Sequence, residues 1–448
     1  MTDQATDQTD PRLDDRALPD SGAGGDGATA DGSRLQRALN VLGPGFITGA
    51  SDDDPSGIGT YASVGAAFGF SVLWLAPATF PMMAAVQYMC AKVGMVAGTG
   101  LAGVLRQYYP LWLRYPVVFV LVAANTINAG ADLGAIAAGI NLLAPVPVAM
   151  LIVPIGAAIL ALQLLGSYRV IARTFKWLTL ALLGYIGAAV FARPDLGAVL
   201  RGTLVPTLRW DEPFLMALVA VLGTTISPYL FFWQASEEVE EEISAGRAEI
   251  AARRGATDAE LRLAAWDIDV GMLFSNIVMY FIILATAATL HAAGQTEIAS
   301  AAEAAKALEP LAGRGAEALL ALGLIGSGFL AVPILTAAAA YAAAEAWGWR
   351  SGLDETPRQA RPFYAVIVAA TLVGMLINFI GIDPITALYW AAVLNGLLAP
   401  PLLVLITLMA NNSAIMGDRV NGRGLNLLVW TTTIVMTLAA LGLLANWI

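Results

Sequence analysis

The sequence predicts an all-α polytopic membrane protein of eleven transmembrane helices, ten of them arranged as a five-plus-five inverted repeat with the first and sixth helices broken. Three observations carry that expectation. The 448 residues are 58% hydrophobic and 13% charged, with a mean hydropathy of +0.69, a balance that suits helices facing lipid and excludes a soluble globular domain. Two apolar runs are interrupted by polar, helix-breaking residues: Asp52-Asp53-Asp54-Pro55-Ser56-Gly57 between 39–50 and 58–75, and Gly223-Thr224-Thr225-Ile226-Ser227-Pro228 within 215–230. The basic residues, finally, fall mostly on one side of the membrane.

Residues 1–36 read as a disordered acidic cytoplasmic tail. The stretch to Gly32 holds eight Asp and no apolar run, which also argues against a cleaved signal peptide. The tail supplies much of the formal net charge of -10, so that charge says little about the rest. The transmembrane domain, 37–448, contains apolar runs at 39–65, 71–96, 116–141, 146–166, 174–192, 213–236, 268–291, 315–345, 362–381, 386–410 and 425–447. The first repeat is about 39–192, the second about 213–410, and 425–447 is an extra helix. Each flank of the Asp52–Gly57 break is short for a span of roughly 20 residues, but joined they make one span broken near the midplane. Pro228 breaks the sixth run by removing a backbone donor and freeing carbonyls one turn earlier. With the tail cytoplasmic, only Arg193, Arg201, Arg209, Lys306 and Arg314 face outside, leaving nineteen of the 24 Lys and Arg inside, as the positive-inside rule requires. The breaks lie five spans apart, so the second five helices cross in the opposite sense to the first, as in carriers whose discontinuous helices meet at a midplane site.

Several function classes drop out. Nucleic-acid binding has no basic patch to support it. Cys90, the sole cysteine, allows neither an intramolecular disulfide nor a thiolate cluster and reads as packing. His291, the sole histidine, rules out zinc-hydrolase motifs and reads as a helix-end residue. No nucleophile and base pair is evident, so the chain is not expected to be an enzyme, and no cofactor is expected.

The breaks define the chemistry. A carboxylate such as Asp54 at mid-membrane costs roughly 2.5 to 3.5 kcal/mol on insertion scales, which favours pairing it with a cation or wetting it; the alternative is a solvated Asp-Pro-Ser-Gly turn in an outer loop. Thr224 offers a carbonyl and a hydroxyl, and Ser227 another hydroxyl. These are hard oxygens, suited to Mg²⁺, Ca²⁺ or Mn²⁺.

Asp54-Pro55-Ser56-Gly57 followed by Gly65-Ala66-Ala67-Phe68-Gly69-Phe70 resembles the DPGN region of the NRAMP divalent-metal transporters. The likeness extends through Gln87 to Gly94, Leu101-Ala102, Arg106 to Pro110, Asn276 to Gly294 and Ile415-Met416-Gly417, covering about 40–447. It implies a LeuT-type fold and metal-ion transport. In that family the DPGN aspartate and asparagine and a sixth-helix methionine of an M-P-H motif bind the metal. Here Asp54 keeps its place, but Gly57 stands at the asparagine, Ser227 at the methionine and Tyr229 at the histidine position. Loss of the thioether removes the preference for softer metals, and Gly57 opens space for an ion that keeps some water. The pattern is similar to the NRAMP-related magnesium-transporter branch. The resemblance therefore implies a metal site of Asp54, Gly57, Thr224 and Ser227, with Mg²⁺, and also Mn²⁺, as the transported partners.

The family's proton route uses the sixth-helix histidine and third-helix acids. Asp132 is kept, but Ala135 stands where a glutamate is expected. Uptake is therefore expected not to be obligatorily proton-coupled; a divalent ion falling through roughly 100 mV gains about 4.6 kcal/mol without protons. The run Glu237-Glu238-Val239-Glu240-Glu241-Glu242 reads either as an acidic exit vestibule or as a solvated helix end. Asp52 and Asp53 line the ion's approach or serve as turn residues. Asn276 and Asn395 read as interhelical hydrogen-bonders. Asp267, Asp269 and Glu345 are expected to pair with arginines or to act as gating contacts, and 240–266 to form an amphipathic surface helix using Ile243, Ile250, Leu261 and Leu263. A proton-coupled Mn²⁺/Fe²⁺ symporter and a Na⁺-coupled organic-solute carrier on the same scaffold are the competing functions. A monomer in the plasma (inner) membrane, surrounded by lipid and with its N-terminus cytoplasmic, is expected.

Overall fold

Proline and glycine decide where the helices begin and end. The computed structural model describes residues 43–165, 179–353 and 355–447; the acidic tail, the start of the first apolar run and the basic residues Arg12, Arg16, Arg34, Arg37, Arg169, Arg173 and Lys176 lie outside them. Pro44 opens α1 (Pro44–Asp52) and Pro55 opens α2 (Pro55–Phe68), each in the first turn, where a missing N–H costs nothing. Between them Asp54 is extended, with φ -67° and ψ 168°, and its side chain caps α2 by accepting from the Gly57 amide. The predicted break is thus a true discontinuity. Then follow α3 (Leu75–Ala97), α4 (Leu101–Tyr108), α5 (Leu111–Leu143), α6 (Val148–Leu165), α7 (Gly184–Phe191) and α8 (Leu196–Leu204). The second break separates α9 (Glu212–Thr225) from α10 (Pro228–Ser244), again with a proline in the first turn of the second half. The rest comprises α11 (Asp258–Thr286), prolonged by a π-helical turn to His291, α12 (Ala316–Trp347), α13 (Arg361–Ile377), α14 (Pro384–Ala410) and α15 (Arg423–Trp447). Short helical turns join these elements.

Among the described residues, eight helical stretches are long and apolar enough to cross a membrane. Two shorter apolar helices, Ala181–Phe191 and Arg361–Ile377, accompany them, and the α1–α2 pair supplies the first run. Packing is reciprocal between the repeats. The second half of each broken helix lies on the span that follows the other one: α2 on α11 and α10 on α3. The third spans of the two repeats, α5 and α12, form the most extensive helix pair. That exchange is what an inverted repeat requires.

Close backbone approach fixes the broken helices in place. A Cβ on Gly49 of α1 would come within 2.2 Å of the Gly271 backbone of α11, and one on Gly223 of α9 within 2.2 Å of Gly396 of α14. Neither crossing tolerates a side chain. Asn276 of α11 donates to Thr79 Oγ1 of α3 at 3.2 Å, the interhelical bond expected of it. Cys90 is buried and unpaired, and His291 sits at a helix end with Nδ1 at 2.7 Å from the Ala66 carbonyl.

Three expectations are corrected. The segment 240–266 is not one amphipathic helix: α10 runs on to Ser244, and α11 starts at Asp258. A capping box dictates that start, with the Thr257 side chain accepting from the Glu260 amide and Glu260 accepting from the Thr257 amide. Among the described residues Asp267 has no arginine partner; it accepts from the Gly43 amide at 3.0 Å and the Gly45 amide at 2.7 Å, because the opening turn of α1 carries free N–H groups and partial positive charge. Glu345 likewise accepts from the Gly103 amide at 3.1 Å and the Ser236 hydroxyl at 3.0 Å.

Candidate functional site

The two breaks face each other. From α2, the Ser56 hydroxyl donates to Asp54 Oδ1 at 2.6 Å, and the Gly57 amide donates to the same oxygen at 2.8 Å. From α9, Thr224 Oγ1 stands 3.4 Å from Ser56 Oγ, and a Cβ on Gly57 would lie 3.4 Å from that threonine oxygen and 3.3 Å from the Asp52 carbonyl. From α10, the Tyr229 hydroxyl lies 3.0 Å from the Ser51 carbonyl and 3.3 Å from Asp54 Oδ2. The two prolines and the bared turns set these positions: each break exposes carbonyls that an intact helix would consume. Asp54, Gly57, Thr224 and Tyr229, picked out from sequence, converge.

Ser227 belongs to the same place but points elsewhere. Its hydroxyl donates to the Gly223 carbonyl at 2.9 Å and the Thr224 carbonyl at 2.7 Å, occupying carbonyls that the sequence reading left free. Its oxygen keeps lone pairs, so it remains a hard acceptor.

Solvent does not reach the pocket in this conformation. Asp54, Thr224, Ser227 and Tyr229 are each 1% exposed, and Asp132 on α5 is fully buried. Neither Asp132 oxygen has a hydrogen-bond partner among the described residues. Asp52 and Asp53 are buried as well and share the Ser275 hydroxyl of α11, at 2.6 Å and 3.2 Å. They therefore line no open approach here; they tie the broken turn to α11. The ion pairs found among the described residues lie elsewhere, at Arg209, Arg247, Arg350 and Arg419. Among the described residues these buried carboxylates have no fixed cation beside them, and burying an unpaired charge is costly. No group of three His, Cys, Asp or Glu side chains is arranged to hold a metal among the described residues; what surrounds Asp54 is hydroxyl and peptide oxygen.

The acidic run of α10 is mixed. Glu238 is buried and accepts from Gln234 Nε2 at 2.8 Å, while Gln234 Oε1 receives the Thr48 hydroxyl of α1 at 2.5 Å. Glu238 is no solvated helix end; it belongs to a polar chain joining the two broken helices. Glu237 is half-buried beside it.

Ser56, Ser275 and Gln234 escaped the sequence reading. Ser56 follows its helix cap by two positions, a signal that a capping analysis would have caught. Ser275 sits in an apolar run and gives no signal.

Two discontinuous helices crossing at a buried polar pocket, within reciprocal repeats, define a membrane transporter of the broken-helix class. Comparisons with known proteins agree. The family model described as "Natural resistance-associated macrophage protein-like", Nramp, matches residues 45–446; the chain belongs to the Nramp family. It is 26% identical over 404 residues to the protein named divalent metal cation transporter MntH from Klebsiella pneumoniae (strain 342), covering 89% of this chain and 92% of that one. Among solved structures, a mutant of the Eremococcus coleocola manganese transporter superposes with a TM-score of 0.70 at 18% identity, covering 91% of this chain and 86% of that one. Mhp1, a nucleobase-cation-symport-1 family transporter, superposes with a TM-score of 0.54 at 14% identity, with 91% of each chain covered. These relatives carry the names of transporters, not of enzymes.

Proposed function

We propose that this protein is a divalent cation carrier of the plasma membrane, N-terminus cytoplasmic, that takes up Mg²⁺, and Mn²⁺ with it, as a partly hydrated ion and without obligatory proton coupling. The observation that carries the reading is the donor set at the crossing: the Asp54 carboxylate bonded by the Ser56 and Tyr229 hydroxyls and the Gly57 amide, with Thr224 Oγ1 next to Ser56 and the Asp52 carbonyl next to Gly57. No thioether or imidazole stands among those contacts. Such a set does not favour soft, later transition metals. It also supplies too few charged ligands to strip a small hard ion, so Mg²⁺, which dehydrates reluctantly, keeps water there.

In this reading Asp54 holds the ion by charge and Thr224 faces it across the crossing. Tyr61, the Asp52 carbonyl and Thr224 Oγ1 crowd Gly57 in this conformation, so a hydrated ion enters only as the turn widens, and the Ser227 hydroxyl, now bonded to the Gly223 and Thr224 carbonyls, would then offer its lone pairs from the far break. Tyr229, unlike an imidazole, does not cycle a proton near neutral pH, which leaves membrane voltage as the driving force. Asp54→Ala tests the site. In proteoliposomes it is expected to abolish Mg²⁺ and Mn²⁺ uptake while the protein stays folded; uptake at the parental rate would sink the assignment.

A further inference from the structure

Away from the crossing, an open cavity of about 300 Å³ is lined by Tyr88, Lys92, Asp258, Arg262, Asp418 and Arg419. It lies where α3, the start of α11 and the 411–422 connection meet. Lys92 is 7% exposed and, among the described residues, bonds to neutral acceptors, the Val420 carbonyl at 3.1 Å and Asn421 Oδ1 at 3.3 Å. An ammonium has three donors, so one remains. Beside it the buried Asn421 Nδ2 has no partner among the described residues. Arg419 is engaged by Asp258, and the ion pairs among the described residues include none with Arg262, which is exposed. The pocket thus combines a buried ammonium, the Arg262 guanidinium beside Asp258, an amide donor with no partner among the described residues, a tyrosine and the acid Asp418.

The position of the pocket says what enters it. Lys92 lies five residues before the end of α3 at Ala97, about 7 Å along the helix axis, so the pocket sits near one end of that apolar span. On α11, next to Arg262, Leu263 is 54% and Trp266 50% exposed, the kind of surface that sits in the interfacial layer. We propose that this pocket binds a monoanionic phosphodiester, the headgroup of a membrane phospholipid, through Lys92, Arg262 and the Asn421 amide. Lys92, Arg262 and Arg419 against Asp258 and Asp418 leave one positive charge in the lining, which one phosphodiester neutralises. Bound there, the lipid would clasp α3 to the base of α11, the two spans on which the broken helices rest.

The test uses the full-length protein, purified into nanodiscs of phosphatidylcholine alone or with phosphatidylglycerol, with retained lipid read by native mass spectrometry. Preferential retention of phosphatidylglycerol, reduced about tenfold or more in Arg262→Gln and raised in Asp418→Asn, supports the proposal. Arg262 is exposed, so its variant folds even if Lys92→Gln does not. Displacement of the lipid by millimolar inorganic phosphate, sensitive to the same variant, keeps the phosphate chemistry and makes free phosphate a second occupant. Equal retention of both lipids, or retention of phosphatidylglycerol unchanged in both Arg262→Gln and Lys92→Gln, overturns it.

Discussion

Gly57→Ala probes the volume beside Asp54. The added Cβ would lie 3.2 Å from Tyr61 Cε2, 3.3 Å from the Asp52 carbonyl and 3.4 Å from Thr224 Oγ1. Those contacts are tight yet bearable, so the substitution crowds the crossing without preventing folding. Overpacking of this kind costs about 1 to 3 kcal/mol. If the methyl occupies space that a hydrated ion uses, the cost appears in ion affinity, as a rise in KM of roughly 5- to 150-fold. The rise should be larger for Mg²⁺, which holds its water, than for Mn²⁺. Alanine in place of glycine favours the helix by up to about 1 kcal/mol, which offsets part of the crowding, so Tm should fall only modestly. Initial rates of both metals in proteoliposomes, beside a melting curve, give the assay. Equal effects on the two metals, or no effect with the protein folded, would refute the reasoning that water-clad Mg²⁺ passes beside Gly57.

Other expectations follow from the same contacts. Ser227→Met places a thioether at the second break and should raise Cd²⁺ uptake relative to Mg²⁺ in competition assays, because soft sulfur favours softer, later metals. Asp267→Ala removes the acceptor for the Gly43 and Gly45 amides and should cost about 0.5 to 2 kcal/mol, read as a lower Tm in thermal unfolding. Gly49→Leu cannot fit against Gly271 and should give protein that fails to fold or to transport, seen by size-exclusion chromatography before any flux is measured.

The breaks were legible because the chain marks them with residues of restricted backbone chemistry: Pro55 and Pro228 cannot continue a helix, and Asp54 caps the one that follows. Legible too was the hard-oxygen character of the crossing, since it rests on residue types and not on geometry. The direction of the Ser227 hydroxyl was not, because a serine in a bared turn satisfies its own backbone as readily as it faces a ligand. Asp267 misled for a related reason. A carboxylate near a membrane boundary suggests an arginine, but a helix start 222 residues away in sequence offered amides first. The start of α11 was readable from Thr257-x-x-Glu260 yet hidden by charges that interrupt the apolar run. Ser275 could be found only once α11 lay against the Asp52–Asp53 turn.

Proteoliposomes loaded with a pH dye and a Mg²⁺ indicator, held at an imposed inside-negative potential, test the central claim most directly. The account predicts that Mg²⁺ enters in response to voltage while internal pH stays constant, and that both signals are flat in Asp54→Ala. Internal acidification in fixed proportion to Mg²⁺ entry, or uptake that needs a proton gradient and ignores voltage, would contradict it.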